Sequence, residues 1–267
     1  VGALRGRQEV AVWTDSALYS LQFVGAPFIF KANMITDGVS LISPNAAIVA
    51  NNVIYFMDKH NFYVYTGVAQ TLPCTVRAFV FDNLNNKQGQ QVTAFANTAY
   101  NEVGWFYPST DSLTTDKMVV YNYVEQAWSI SDLARDAWDD AAAASDLPIA
   151  VKSTDSVGYI FNHETGFDDD GSAMTAFIET ADFDIADGAF VGTSTSPSLT
   201  YSLKSRNNTD GTIATESTVD VSPTTDFAIS NVRARARQMR IRVESTDLEN
   251  GWRLGDVRLD VRQDGRR

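Results

Sequence analysis

Cysteine is almost missing from this chain: Cys74 is the only one in 267 residues. A disulfide framework and a thiolate metal cage are thereby excluded, and a reducing assembly compartment suits the protein. Cys74 itself, directly after Pro73, reads as a small half-buried residue. Histidine is nearly as scarce, so a catalytic triad or a zinc site would need His60 or His163. His60 follows Lys59 between two candidate strands and reads as an exposed turn residue, while His163 lies beside carboxylates in FNHETGFDDDG. No apolar run reaches the roughly eighteen residues of a membrane-spanning helix, and VGALRGRQEV lacks the apolar stretch of a signal peptide. Membrane insertion is therefore not expected. GxxxxGK[ST], GxSxG, HExxH and a strand-linked GxGxxG are all missing, so no enzymatic activity and no cofactor are expected. Positive charge is also in deficit, with 21 Lys and Arg against 33 Asp and Glu and a net charge of -12. An average surface of that sign repels nucleic acid and anionic membrane.

What the chain has instead is short β-branched and aromatic runs separated by Gly, Asn and Asp, the pattern of many short strands. EVAVWT, ALYSLQFVG, AAIVA, VIYFMD, FYVYTG, QVTAFAN, EVGWFYPS, KMVVYNY, AWSIS, PIAVKS and VGYIFN are the candidates up to about residue 165. They fall into a recurring phrase of a small-apolar strand, a turn with Asn or Asp, and an aromatic strand. Its anchors Tyr19, Tyr55, Trp105 and Tyr159 are spaced by 36, 50 and 54 residues, near the blade length of a β-propeller. One small twisted sheet cannot bury both faces, whereas stacked blades do and keep their edges short. A non-propeller sandwich of equal length is the competing arrangement.

Residues 132–188 hold fourteen Asp or Glu against Arg135 and Lys152. Within them DLARDAWDDAAAASDL, rich in Ala and free of Gly and Pro, predicts a short helix or an ordered loop between blades. Asp136, Asp139, Asp140, Asp168 and Asp169 are the candidate exposed carboxylates. Asp168 and Asp170 are weak candidates for an irregular calcium site, because consecutive acids do not match the alternating ligand spacing of an EF-hand loop. From Gly188 onward Ser and Thr alternate with apolar residues in LTYSLKSRN, TVDVSP, ARARQMRIRVES and DVRLDVRQ, with NNTDG and ENG as turns. That alternation predicts sheets with one wet face. The fold class expected is all-β: propeller-type blades, complete or partial, over residues 1–170 and a β-sandwich-like domain over 171–267.

VRARARQMRIRVES carries five arginines in fourteen residues. Arg233, Arg235 and Arg237 take odd positions, Arg240 and Arg242 even ones, and Met239, Ile241 and Val243 continue the odd row. With a side-chain period of two, the charged row changes face near Gln238. An arm built for DNA has no need of that apolar row, so the segment reads as a structural strand. Residues 233–267 hold ten Arg against six acids, and this contrast with the acidic remainder points to contact between unlike subunit surfaces. Arg233, Arg235, Arg240 and Arg242 are the candidate interface residues.

Several stretches together carry a family resemblance: GALRGRQEVAVWTDSALYSLQFVGAPFIF, SLISPNAAIVANNVIYFMDKHNFYVYTGVAQTLPCTV, VVYNYVEQAW and WRLGDVRLDVRQDGRR. With these the chain resembles the tail nozzle proteins of short-tailed bacteriophages, also described as packaged-DNA stabilisation or tail tubular B-like proteins. The resemblance implies a virion structural protein, assembled in the host cytoplasm into a hexameric ring below the portal and adaptor. It also implies contact with the tail tip or needle and transient, non-specific passage of double-stranded DNA through the bore. Family members carry a propeller and an additional β domain and are longer. The chain, which begins at Val1 on the approach to a strand, is thus expected to match their C-terminal portion. A lumen lined by the candidate carboxylates would let DNA slide without sticking. Two other readings stay open: a glycan- or receptor-binding propeller, with a pocket rimmed by Trp13, Trp105 or Trp128, and a propeller enzyme using paired carboxylates.

Overall fold

The computed structural model describes residues 2–140, 147–154, 157–166, 168–169, 171–180, 183–184, 199–206, 213–221 and 238–246. The protein is all-β, and among the described residues every sheet is antiparallel and none is closed. It divides into two compact units, Val1–Thr165 and Gly166–Arg267.

The first unit holds four small sheets. β1 (Gly2–Arg5), β2 (Val10–Trp13), β3 (Ala17–Phe23) and β4 (Phe30–Asp37) form the first, paired in chain order. β5 (Ala47–Ala50), β6 (Val53–Met57), β7 (Phe62–Tyr65) and β8 (Ala69–Thr71) form the second. A short helix α1 (Arg77–Asp82) and a 3-10 helix (Asn86–Gln91) lead into the third sheet: β9 (Thr93–Asn97), β10 (Glu102–Tyr107), β11 (Lys117–Asn122) and β12 (Ala127–Ser131). The fourth sheet is three-stranded, with β13 (Ala137–Asp139), β14 (Ile149–Ser153) and β15 (Gly158–Asn162). Asn51 and Asn52, at φ 47° and 61°, turn β5 into β6 with both central residues left-handed, a conformation that Asn tolerates better than most.

These sheets stack face to face in series, and strand periodicity explains how. Along β6, Ile54 and Phe56 enter the core shared with the first sheet, while Tyr55 and Met57 enter the core shared with the third. Along β10, Val103, Trp105 and Tyr107 face the second sheet, and Phe106 faces the fourth together with Phe95 and Val120. Both faces of the middle sheets are buried, which is why VIYFM and EVGWFY read as unbroken apolar runs. Gly104 marks one tight contact: a Cβ there would lie 2.5 Å from the Phe95 ring and 2.7 Å from the Val119 carbonyl.

Each junction carries an aromatic contact and an aromatic hydrogen bond. Trp13 meets Phe56 at 5.2 Å, Phe62 meets Trp105 at 4.7 Å, and Phe95 meets Trp138 at 4.9 Å between ring centres. Tyr65 donates to Glu9 across the first junction. Trp105 Nε1 donates to the Ala46 carbonyl at 3.0 Å across the second, and Trp138 Nε1 to the Ala96 carbonyl at 2.9 Å across the third. An aromatic ring with a polar handle suits this position, burying apolar area while satisfying its own donor.

For DLARDAWDDAAAASDL, expected as a short helix or an ordered loop, the helix is corrected over the described part, and residues 132–136 are loop. Ala137–Asp139 is strand β13, while residues 141–146 lie outside the described residues. Trp138 decides it: its ring packs on Phe95 and Phe106, and this tertiary contact outweighs the helix propensity of the flanking alanines. The α-helix among the described residues is instead RAFVFD at α1, with Val80 buried.

In the second unit β16 (Asp168–Asp169) and β17 (Ser172–Ala173) form a hairpin around Gly171 at φ 81°. The expected domain boundary at 170/171 falls inside this hairpin. β18 (Ala176–Glu179), β19 (Phe183–Asp184), β20 (Leu199–Arg206), β21 (Ala214–Val221) and β22 (Gln238–Ser245) make one sheet, ordered β18-β22-β20-β21 with β19 also on β22. Burial alternates strictly along β22, with Met239, Ile241, Val243 and Ser245 buried and Arg240, Arg242 and Glu244 half-buried. A second sheet packed on this one, as a sandwich requires, is not seen among the described residues.

Candidate functional site

Two charged clusters, one in each unit, contain Asp136, Arg240 and Arg242 of the residues singled out in the sequence. In the first unit the acidic segment after β12 is held from inside. Asp136 accepts hydrogen bonds from Thr115 Oγ1 at 2.8 Å, Lys152 Nζ at 3.0 Å, and Ser153 N and Oγ at 2.7 and 2.6 Å. Burial alone would raise its pKa, but the bonds from Ser153, Thr115 and Lys152 outweigh it and hold the carboxyl at about 2. Asp136 is thus a structural anchor joining β14 to the loop before β11, rather than a free surface charge. Asp140 accepts from Thr98 N at 3.1 Å and Oγ1 at 2.5 Å. Asp139 is exposed. Of the other candidates, Asp169 is exposed, Asp168 is half-buried and receives Gly171 N at 3.4 Å, and Asp170 lies outside the described residues.

His163 is built into the same region. Arg135 Nε donates to its Nε2 at 3.0 Å, and its ring lies 4.6 Å from that of Trp138. The Arg135 guanidinium also sits 4.0 Å above the Phe161 ring. His163 with Arg135 and Trp138 fastens the fourth sheet, and His60 is an exposed turn residue whose N–H donates to Asp58 Oδ1 at 2.5 Å.

An open cleft of about 470 Å³ lies beside this region, walled by Thr98, Tyr100, Asp140, Leu147, Pro148 and Glu164. Glu164 accepts from Asn97 Nδ2 at 2.8 Å. Nearby Glu102 is pushed up by burial first, then by the charges of Glu164 and Glu125. The cleft is therefore acidic, and its two carboxylates also brace Asn97 and Thr98 at the end of β9. Among the described residues, no group of three His, Cys, Asp or Glu converges as a metal site. Burial pushes the Cys74 thiol up to about 11, ahead of smaller opposing effects from Val76 and Arg77.

In the second unit Glu179 is the centre of a cationic cluster on the polar face of the sheet. Lys204 Nζ lies 2.5 Å and Arg240 Nη1 2.8 Å from its oxygens, with Arg242 Nη1 at 3.6 Å. Arg242 also pairs with Glu244 at 2.7 Å, and its guanidinium lies 3.8 Å over the Phe177 ring. Burial would raise the Glu179 pKa, but Lys204 and Arg240 lower it below the ordinary value. Arg240 and Arg242 therefore hold their own sheet together. Arg233 and Arg235 lie outside the described residues.

Of the tryptophans named as a sugar-stacking rim, two are interior and Trp128 is half-buried. Trp13 and Trp105 have no exposed surface, and Trp128 packs between Phe62 and Tyr121 with Nε1 bonded to the Pro73 carbonyl. Sequence reasoning did not find the partners of Asp136 or the central role of Glu179. Thr115, Lys152 and Ser153 carry no motif, and only strand register brings Glu179 opposite Arg242.

In comparisons with known proteins, no family model matches the chain and no curated protein matches it.

Proposed function

We propose that this protein is a structural component of a short-tailed bacteriophage tail, a nozzle or hub subunit that forms a ring extending the DNA channel. The observation that carries the reading is the serial stacking of four small antiparallel sheets, with an aromatic hydrogen bond across every junction. In this reading the sheets are propeller blades, and the second unit is one layer of a sandwich-like domain whose apolar row includes Ile241 and Val243. Three of the four sequence phrases that resemble the nozzle family run through the first three sheets, and the fourth, WRLGDVRLDVRQDGRR, lies outside the described residues.

The function follows from mechanics rather than catalysis. Packaged DNA under pressure has to be retained and then slide out, and a wall of like charge gives the duplex nothing to adhere to. Asp139 and Asp169, which stay exposed, are the lumen candidates; Asp136 is withdrawn from that role by its bonds to Lys152 and Ser153. The ring has six copies, sits in the virion between the portal-side adaptor and the tail tip or needle, and assembles in the host cytoplasm. Sedimentation velocity on the purified protein tests this: a discrete species of about six chains is expected, whereas a monomer at every concentration contradicts it.

A further inference from the structure

The β3–β4 hairpin ends in a tip that the first sheet does not use. Residues 23–30, FVGAPFIF, are eight consecutive positions without a charge. Phe23 is 71% exposed, Phe28 77%, Ile29 58% and Phe30 60%. Phe23 and Phe30 are the last paired residues and touch edge to face at 5.9 Å. Beyond them Val24 N bonds to the Ile29 carbonyl, and Gly25 turns the chain at φ 81°. A docking strand shows one apolar face, since alternate side chains point to opposite sides. Here the consecutive residues Phe28, Ile29 and Phe30 are all exposed, so the apolar surface of the tip is not confined to one face.

The charge around the base of the tip runs against that of the whole chain. Strand register places the Gly6–Glu9 turn and Lys31 at this end of the sheet, because Arg5 pairs with Val10, Val10 with Leu21, and Gln22 with Lys31. Arg5, Arg7 and Lys31 are exposed there. The one acid at the same end, Glu9, accepts bonds from Ser20, Gln22 and Tyr65. Asp15 and Asp37 lie at the opposite end, beside Ala17. An aromatic tip above a ring of exposed cations is complementary to a layer of anionic headgroups over hydrocarbon.

We propose that the β3–β4 tip enters the headgroup and acyl boundary of an anionic phospholipid bilayer. Length agrees with shallow entry. Four residues beyond the Gln22–Lys31 pair reach roughly 10–13 Å, enough for the interface and far too short to span about 30 Å of hydrocarbon. Among the described residues no helix is long and apolar enough to cross a membrane. The expectation of no membrane insertion rested on such spanning runs, and an interfacial tip needs none. A pocket in a second copy fits less well, because the acidic cleft described above is walled by Asp140 and Glu164. The proposal stands on the first sheet alone, and ring assembly is read separately.

Flotation of the intact protein with phosphatidylcholine vesicles, with and without phosphatidylglycerol, is the test. The protein should float with the anionic vesicles. F28S/F30S should lower partitioning about tenfold or more at unchanged far-ultraviolet dichroism, since both rings are exposed. R7E/K31E should abolish the preference for phosphatidylglycerol. A Phe28→Trp variant provides a readout independent of loss of function: its emission, measured against that of the unaltered protein, should shift to the blue on vesicle addition. Failure of the unaltered protein to float, equal flotation of F28S/F30S, or an unshifted emission of the Phe28→Trp variant would overturn the proposal. So would concentration-dependent self-association that F28S/F30S removes without any vesicle binding, which would seat the tip in a second copy.

Discussion

Asp136 shows how little of a side chain's role is fixed by its type. In sequence it is one acid among many, yet Thr115, Lys152 and Ser153 hold its carboxyl at about 2, below the ordinary 3.8. A depressed carboxyl pKa stabilises the fold at pH values above the unfolded pKa, and that contribution disappears as pH falls through the folded value. Native stability should therefore drop between about pH 4 and pH 2, and Asp136→Asn should flatten that limb. At neutral pH the substitution should cost about 1 kcal/mol, allowing for the partial exposure of the group. Urea unfolding as a function of pH measures both. Tyr107 presents the opposite case: its ring is fully buried, its hydroxyl has no hydrogen-bond partner among the described residues, and burial pushes its pKa up to about 12. Replacing that group with hydrogen removes a desolvation cost with no bond to lose, so Tyr107→Phe should raise stability by about 1 kcal/mol in thermal unfolding.

At the scale of elements, the sequence was most legible where burial was most symmetrical. β6 and β10 lie between two neighbours, bury alternate residues on both sides, and show as solid apolar runs. β4 was not legible, because its exposed edge carries Phe30, Lys31 and Met34 without alternation. β13 was hidden in an Ala-rich stretch, where the packing of one residue, Trp138, sets the conformation. α1 has only six residues, of composition RAFVFD, too short for a helical period to appear. β22 was legible in its parity but not in its partners: the even row of arginines is visible in sequence, whereas Glu179 is 61 residues from Arg240. Arg240→Glu should leave Glu179 facing a like charge and destabilise the second unit by about 2 kcal/mol, and the same substitution should cost less in a Glu179→Gln chain, where no carboxylate faces it. Denaturant unfolding of the single and double variants measures it. An assembly defect in Arg240→Glu is then informative only after the sheet is shown to be intact.

For the whole molecule, the stack of four sheets accounts for how the short strands of the first unit bury their aromatic residues. Acidic groups such as Asp139 and Asp169 remain in solvent, while the apolar β3–β4 tip with its cations stands outside the core. A conduit for DNA requires the first, and a lipid contact the second. The measurement that bears most directly on the central claim is electron microscopy of the purified protein. The account predicts class averages of a hollow, six-fold ring with an open bore wide enough for a DNA duplex. Compact single particles without a bore, at concentrations where the chain is fully folded, would contradict it.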